Sequence, residues 1–265
     1  MRSFPYIITK AKAKEIPIVL SIPHCGTEFP EDIKNTYSTK ALNTLDDTDW
    51  HLDKLYDFAS SLGIITISAK YSRWLIDLNR TPESEALYND GRIITKLCPT
   101  TDFFGNNIYK KTKFHPNNSE INRRLEKYFY PYHNKIDAII TDLKSRHKNV
   151  IFFDAHSIRR KVETINKKPF PDFILGDNDN KTADKKFINS VLNSLRNSEY
   201  KITHNAPFKG GYLTRSKGDI ENNIHALQLE MSKDLYMSNN ETIYDYKKAE
   251  KVKSLLKSIF KNIID

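Results

Sequence analysis

Two histidines stand just past apolar, β-branched-rich runs, in Ser21-Ile-Pro-His24-Cys-Gly and in Phe153-Asp-Ala-His156-Ser. Neutral imidazole is the commonest protein ligand for Zn²⁺, and a catalytic zinc takes three protein ligands while keeping one position for water. Histidines at the ends of two strands therefore read as a split metal site in need of a third ligand. The run Leu45-Asp46-Asp47-Thr48-Asp49-Trp50-His51 offers one. Asp46 or Asp47 alone would satisfy the cap and dipole of a following helix, freeing Asp49 to turn inward. Glu28, four residues after His24, competes for the same role. Asp154 either supports His156 from behind or points away, because residues two apart share a face only while a strand persists. Cys25 adjoins His24, but sequence neighbours seldom have the geometry of a Cys/His nucleophilic pair. A thiol nucleophile ranks below the metal reading.

Three further runs carry polar groups suited to an acidic substrate. Tyr71-Ser-Arg73-Trp-Leu-Ile-Asp77-Leu-Asn79-Arg80 ends an apolar stretch in a carboxylate, an amide and a guanidinium. Arginine grips carboxylates bidentately and asparagine both donates and accepts, although an arginine after a strand more often makes a structural ion pair. Asn205-Ala-Pro-Phe-Lys-Gly210-Gly211-Tyr-Leu-Thr-Arg215 joins a Gly-Gly turn to a second such arginine, without the spacing of a phosphate loop. Ile224-His-Ala-Leu-Gln228-Leu-Glu230 ends a strand pattern in a glutamate. Facing solvent, Glu230 would be a strand-end residue; facing a metal, it could move a proton from water to a leaving amine.

The elements that must position these residues alternate along the chain. Strands are expected at Ile16–Ile22, Ile64–Ala69, Trp74–Leu78, Val150–Asp154 and Ile224–Glu230. Helical periodicity covers Ala41–Leu62, Ser119–Arg146 with Pro131 kinking or dividing it, Thr182–Arg196, and the chain from about Glu241 onward. The last carries an apolar stripe opposed by lysines, which is core packing and not a membrane anchor. Alternation of this kind predicts a three-layer α/β/α sandwich on a mostly parallel or mixed sheet, and ligands collect outside the carboxyl ends of such strands.

Composition narrows the function classes. The 265 residues suffice for a substantial core, and with no linker or internal repeat they are expected to form one domain, 1–265. Forty-two Lys and Arg against thirty-three Asp and Glu give a net charge of +9, yet the basic residues form no compact run. That dispersal argues against nucleic acid and leaves a basic surface suited to a small acidic molecule. Cys25 and Cys98 are too few for a disulfide scaffold, and no signal peptide or spanning segment is legible. A soluble, cytoplasmic protein is expected, with no membrane or nucleic-acid partner and an oligomeric state the sequence does not specify.

The segments SIPHCGTEFP, DDTDWHLDKLYDFA, YSRWLIDLNR, LCPTTDFFG, YFYPYH, FFDAHSI, PFKGGYLTR and HALQLEMSKDLYM occur in this order between Ile16 and Met237. Together they resemble the N-formylglutamate amidohydrolase family, itself similar to zinc carboxypeptidases and aspartoacylases. The resemblance implies an α/β/α sandwich of the zinc-exopeptidase type and one Zn²⁺ per chain held by His24, His156 and a carboxylate, with Asp49 as the third ligand. It further implies Glu230 as general base and Asn79 with Arg80 as a substrate-carboxylate clamp. The expected reaction is hydrolysis of N-formyl-L-glutamate to formate and glutamate, as in the last step of one histidine-degradation route. In that reaction Arg73 would steady the oxyanion, while Arg80 and Arg215 would divide the two carboxylates. The chain departs from the resemblance twice. Position 27 is Thr where the carboxypeptidases place a ligand glutamate, and Ser216-Lys217-Gly218 replaces a His-Tyr-Gly-like continuation, which bears on substrate preference. The alternatives are a zinc deacylase for another N-acyl amino acid and a non-catalytic binding protein on the same fold.

Overall fold

In the computed structural model, which describes residues 4–83 and 95–264, seven strands form one mixed sheet. They are β1 (Tyr6–Thr9), β2 (Ile18–Ile22), β3 (Ile65–Ala69), β4 (Val150–Ile158), β5 (Phe173–Gly176), β6 (Ile202–His204) and β7 (Ile224–Ser232), in the order β1-β3-β2-β4-β7-β5-β6. The central four, β3-β2-β4-β7, run parallel, so their carboxyl ends share one edge. β1 joins β3 antiparallel and β5 joins β7 antiparallel.

The helices are α1 (Glu31–Lys34), α2 (Thr39–Thr44), α3 (Leu52–Leu55), α4 (Asn118–Arg124), α5 (Tyr130–Lys144), α6 (Lys185–Arg196), α7 (Tyr212–Lys217) and α8 (Tyr246–Asn262). Strand alternation sorts them into two layers. Ile18, Leu20 and Ile22 of β2 and Ile151, Phe153 and Ala155 of β4 pack with α3, α6 and α8. Val19 of β2 and Val150 and Phe152 of β4 point the other way, onto α5 and Leu213 of α7. The α8 stripe of Val252, Leu256, Ile259 and Phe260 is at most 1% exposed, and each such side chain contributes about 1.5–3 kcal/mol of burial. The expected three-layer sandwich is the observed one. No helix of the described residues is long and apolar enough to cross a membrane.

Two expected elements are corrected. The helix anticipated over Ala41–Leu62 is three short pieces, because Leu45 and His51 turn into the left-handed region at φ 41° and 61°. The intervening acids are engaged elsewhere: Asp47 accepts from the Trp74 indole (2.8 Å) and the Phe103 backbone N–H (3.0 Å), and Asp49 accepts from the Ser157 N–H (3.2 Å). Trp74–Leu78 is not a strand either. Its backbone closes turns through Leu75 N–H to Ser72 and Arg80 N–H to Asp77, and the Asp77 carboxylate takes the Asn79 N–H at 2.9 Å. The long helix does divide beside Pro131, where a π-helical turn at Leu125–Phe129 separates α4 from α5.

Candidate metal centre and active site

β4 runs on to Ile158, so Asp154 and His156 stay on one face of the strand. Asp154 lies behind the imidazole, its Oδ2 at 3.0 Å from His156 Nε2. His24, two residues beyond β2, has the same arrangement from a different chain segment, with Nε2 at 2.8 Å from Asp77 Oδ1. A carboxylate on each Nε2 fixes the tautomer and leaves Nδ1 as the lone-pair donor. The two Nδ1 atoms converge on Asp49 Oδ2, at 3.9 Å from His24 and 3.4 Å from His156. These three donor atoms lie within 4.8 Å of one another, and all three residues are buried. His24 Nδ1 is enclosed and has no hydrogen-bond partner among the described residues. An orphaned imidazole nitrogen facing a second imidazole and a carboxylate is a donor set that fits a zinc ion.

The electrostatics prepare these groups unequally. Burial, then the nearby Arg73 guanidinium, pushes His24 down to about 4, so it stands neutral and ready to coordinate. Burial also pulls His156 down, but Asp154 and Asp49 outweigh it and hold its pKa well above 6.5. Asp49 responds in kind: burial opposes its charge, and the two histidines nevertheless keep it below the usual carboxylate value. A metal arriving here must displace the His156 proton, which makes uptake pH-dependent.

Glu230 is paired in register with His156 on the neighbouring strand β7 and is 8% exposed. Burial, with Asp49 adding repulsion, raises it to about 8 against the pull of His156 and Arg73. A carboxyl group poised near neutrality beside a metal site has the properties of a general acid/base.

Arg73 is 6% exposed, lies over the Phe103 ring at 4.8 Å and donates to Asp77 at 2.6 Å. Asp77 therefore joins His24 to Arg73. Arg80 lies 3.9 Å from the same carboxylate and donates to the Thr95 carbonyl (3.0 Å), the Thr95 hydroxyl (3.2 Å) and the Asn79 carbonyl (3.3 Å). Asn79 Nδ2 is 3.1 Å from His156 Nε2, and its Oδ1 accepts from Leu213 N–H at 2.7 Å, which anchors the start of α7 against the centre. That approach explains Gly211, where any Cβ would run into the Asn79 amide. Arg215, on α7, donates from Nε to the Gly210 carbonyl at 2.9 Å.

Two alternatives are placed differently. Glu28 is exposed and pairs with Lys70 at 3.5 Å, whereas the carboxylate that lies with His24 and His156 is that of Asp49. The Cys25 thiol points back to the carbonyls of Ile22 (3.4 Å) and Ala69 (3.6 Å), and burial pushes its pKa well up, the reverse of an activated nucleophile. Sequence reasoning missed the double role of Asp77 and also missed Lys233, which is buried beside the Asp46–Asp49 turn. A lone carboxylate inside Trp-Leu-Ile-Asp-Leu was the legible signal for the first; for the second there was none.

Residues 16–237 match the model of the N-formylglutamate amidohydrolase family. The chain is 33% identical over 255 residues to an N-formylglutamate deformylase of Pseudomonas aeruginosa, covering 96% of this chain and 94% of that relative. It is 34% identical to the Pseudomonas putida N-formylglutamate deformylase over 227 residues, 85% and 84% of the two chains. Among solved structures, an N-formylglutamate amidohydrolase from Ralstonia eutropha superposes with a TM-score of 0.79 at 23% identity, covering 98% of this chain and 96% of that one. A gene product of Agrobacterium tumefaciens gives 0.76 at 15% identity, over 99% and 97%. These two establish the fold, and the sequence match establishes the kinship: the chain belongs to the N-formylglutamate amidohydrolase family.

Proposed function

We propose that this chain hydrolyses N-formyl-L-glutamate to formate and L-glutamate, using one Zn²⁺ held by His24, Asp49 and His156. The observation that carries the reading is the buried His/Asp/His cluster with Glu230 in register beside it, in a chain this similar to named deformylases. When bound, the zinc supplies Lewis acidity, polarising a carbonyl and acidifying water. Glu230 takes the proton of the attacking water and returns it to the amide nitrogen as the C–N bond breaks, so that formate and a free amine leave. Arg73, held rigid by Asp77 and Phe103, faces negative charge developing on the formyl oxygen. Arg80 and Arg215 hold the two carboxylates of the substrate. Asn79, already engaged by Leu213, works chiefly by fixing α7. The reaction suits the last step of one histidine-degradation route and a cytoplasmic enzyme.

A broader zinc deacylase is the second reading, motivated by Ser216-Lys217 at the end of α7, where Lys217 pairs with Asp137 at 2.5 Å. A substrate panel separates the two. N-formylglutamate should be turned over far better than N-formyl-norvaline, which lacks the distal carboxylate. Arg80→Lys and Arg215→Lys should each lower kcat/KM for the dianion by about tenfold, since an ammonium cannot reproduce the guanidinium fork. The neutral analogue should respond to only one of them. Equal efficiency on both substrates in the wild type would replace the deformylase reading with the broader one.

A further inference from the structure

Lys233 follows the last residue of β7 and is 2% exposed, an unusual place for an ammonium. Its Nζ makes one hydrogen bond among the described residues, to the Asp46 carbonyl at 3.3 Å. A single long bond to a neutral acceptor does not offset the removal of an ammonium from water. Charge supplies part of the offset. Burial, with Arg159 adding repulsion, lowers the Lys233 pKa against the pull of Asp49, Asp46 and Asp47, and Lys233 in turn favours the charged form of Glu230. The ammonium and a dication bound at His24, Asp49 and His156 thus draw on the same carboxylate, and at low internal dielectric the two cations repel.

We propose that Lys233 is a built-in countercation that balances the buried carboxylates of the centre and thereby weakens its hold on the metal ion. The trade favours catalysis on an acidic substrate, because positive charge remains at the centre after Asp49 has been partly neutralised by the ion. The inference rests on the metal reading of the cluster, and it does not depend on which N-acyl amino acid is cleaved.

The test is zinc affinity of the full chain, measured by competition with a chelating indicator and Zn²⁺ alone, alongside thermal unfolding to verify folding. Lys233→Gln can keep a hydrogen bond to the Asp46 carbonyl while losing the charge, and Lys233→Met loses both at similar volume. Both should bind zinc about tenfold more tightly than wild type, with Lys233→Arg within about threefold of it. Should Lys233→Met fail to fold, the Gln variant decides. Unchanged or weaker binding in Lys233→Gln would overturn the proposal and make Lys233 a positioning residue for the Asp46–Asp49 turn. A wild-type chain that binds no zinc would instead remove the metal reading itself, and this inference with it.

Discussion

The carboxyl edge of β2, β4 and β7 and the irregular segments 45–51 and 72–80 build the same centre by different means. From the sheet edge come His156 and Glu230, placed by parallel register and strand parity, and His24, two residues beyond the end of β2. From the irregular segments come Asp49, Arg73, Asp77 and Asn79, whose backbones are fixed by side chains bonding across the site. A residue at the sheet edge is held by the packed sheet around it, whereas a residue on a turn is held by a few named hydrogen bonds. Strand groups should therefore fail completely when altered, while turn groups that orient others should fail by degrees.

The largest effect is expected from the strand side. His156→Ala removes a donor outright, so the purified variant should retain no zinc and show no deformylation; full metal occupancy in elemental analysis would exclude His156 as a ligand. Glu230→Gln comes next, keeping shape and zinc while losing roughly 10²- to 10⁴-fold in kcat. Its pH behaviour sharpens the point. A raised carboxyl serves as base only above its pKa, so wild-type kcat/KM should fall as pH drops through a value between the ordinary 4.5 and the about 8 set by burial, the metal charge pulling it toward the lower end. A variant with the same limb would show that another group titrates there.

Smaller effects belong to the turn side. Asp77→Asn leaves all three donors in place but loosens both His24 and Arg73, and should weaken zinc binding about 10- to 100-fold in a competition titration. A loss as complete as that of His156→Ala would erase the distinction between the two regions. Glu28→Ala should change zinc content not at all, since Glu28 is exposed and paired with Lys70.

The same contrast explains what the sequence disclosed. Alternating strand and helix patterns, with a histidine at the end of two apolar runs, were enough to place the sandwich and to bring His24 and His156 to one edge. The third ligand was ambiguous, because Asp49 and Glu28 differ only in how the chain folds between them. Short strands such as Tyr6–Thr9, Phe173–Gly176 and Ile202–His204 left no clear periodicity, having few residues. The helix read across Ala41–Leu62 and the strand read across Trp74–Leu78 failed for a common reason. In both, apolar spacing is real and the side chains are buried, but Asp47, Asp49 and Asp77 divert the backbone to serve the centre. Periodicity records burial; it does not record which polar group a turn has been bent to deliver.

The most direct test of the account is formate release from N-formyl-L-glutamate by the purified chain, before and after removal of metal with a chelator and again after stoichiometric zinc is restored. Activity that disappears on chelation and returns with about one zinc per chain is the predicted result. Undiminished hydrolysis by fully metal-stripped protein would contradict it.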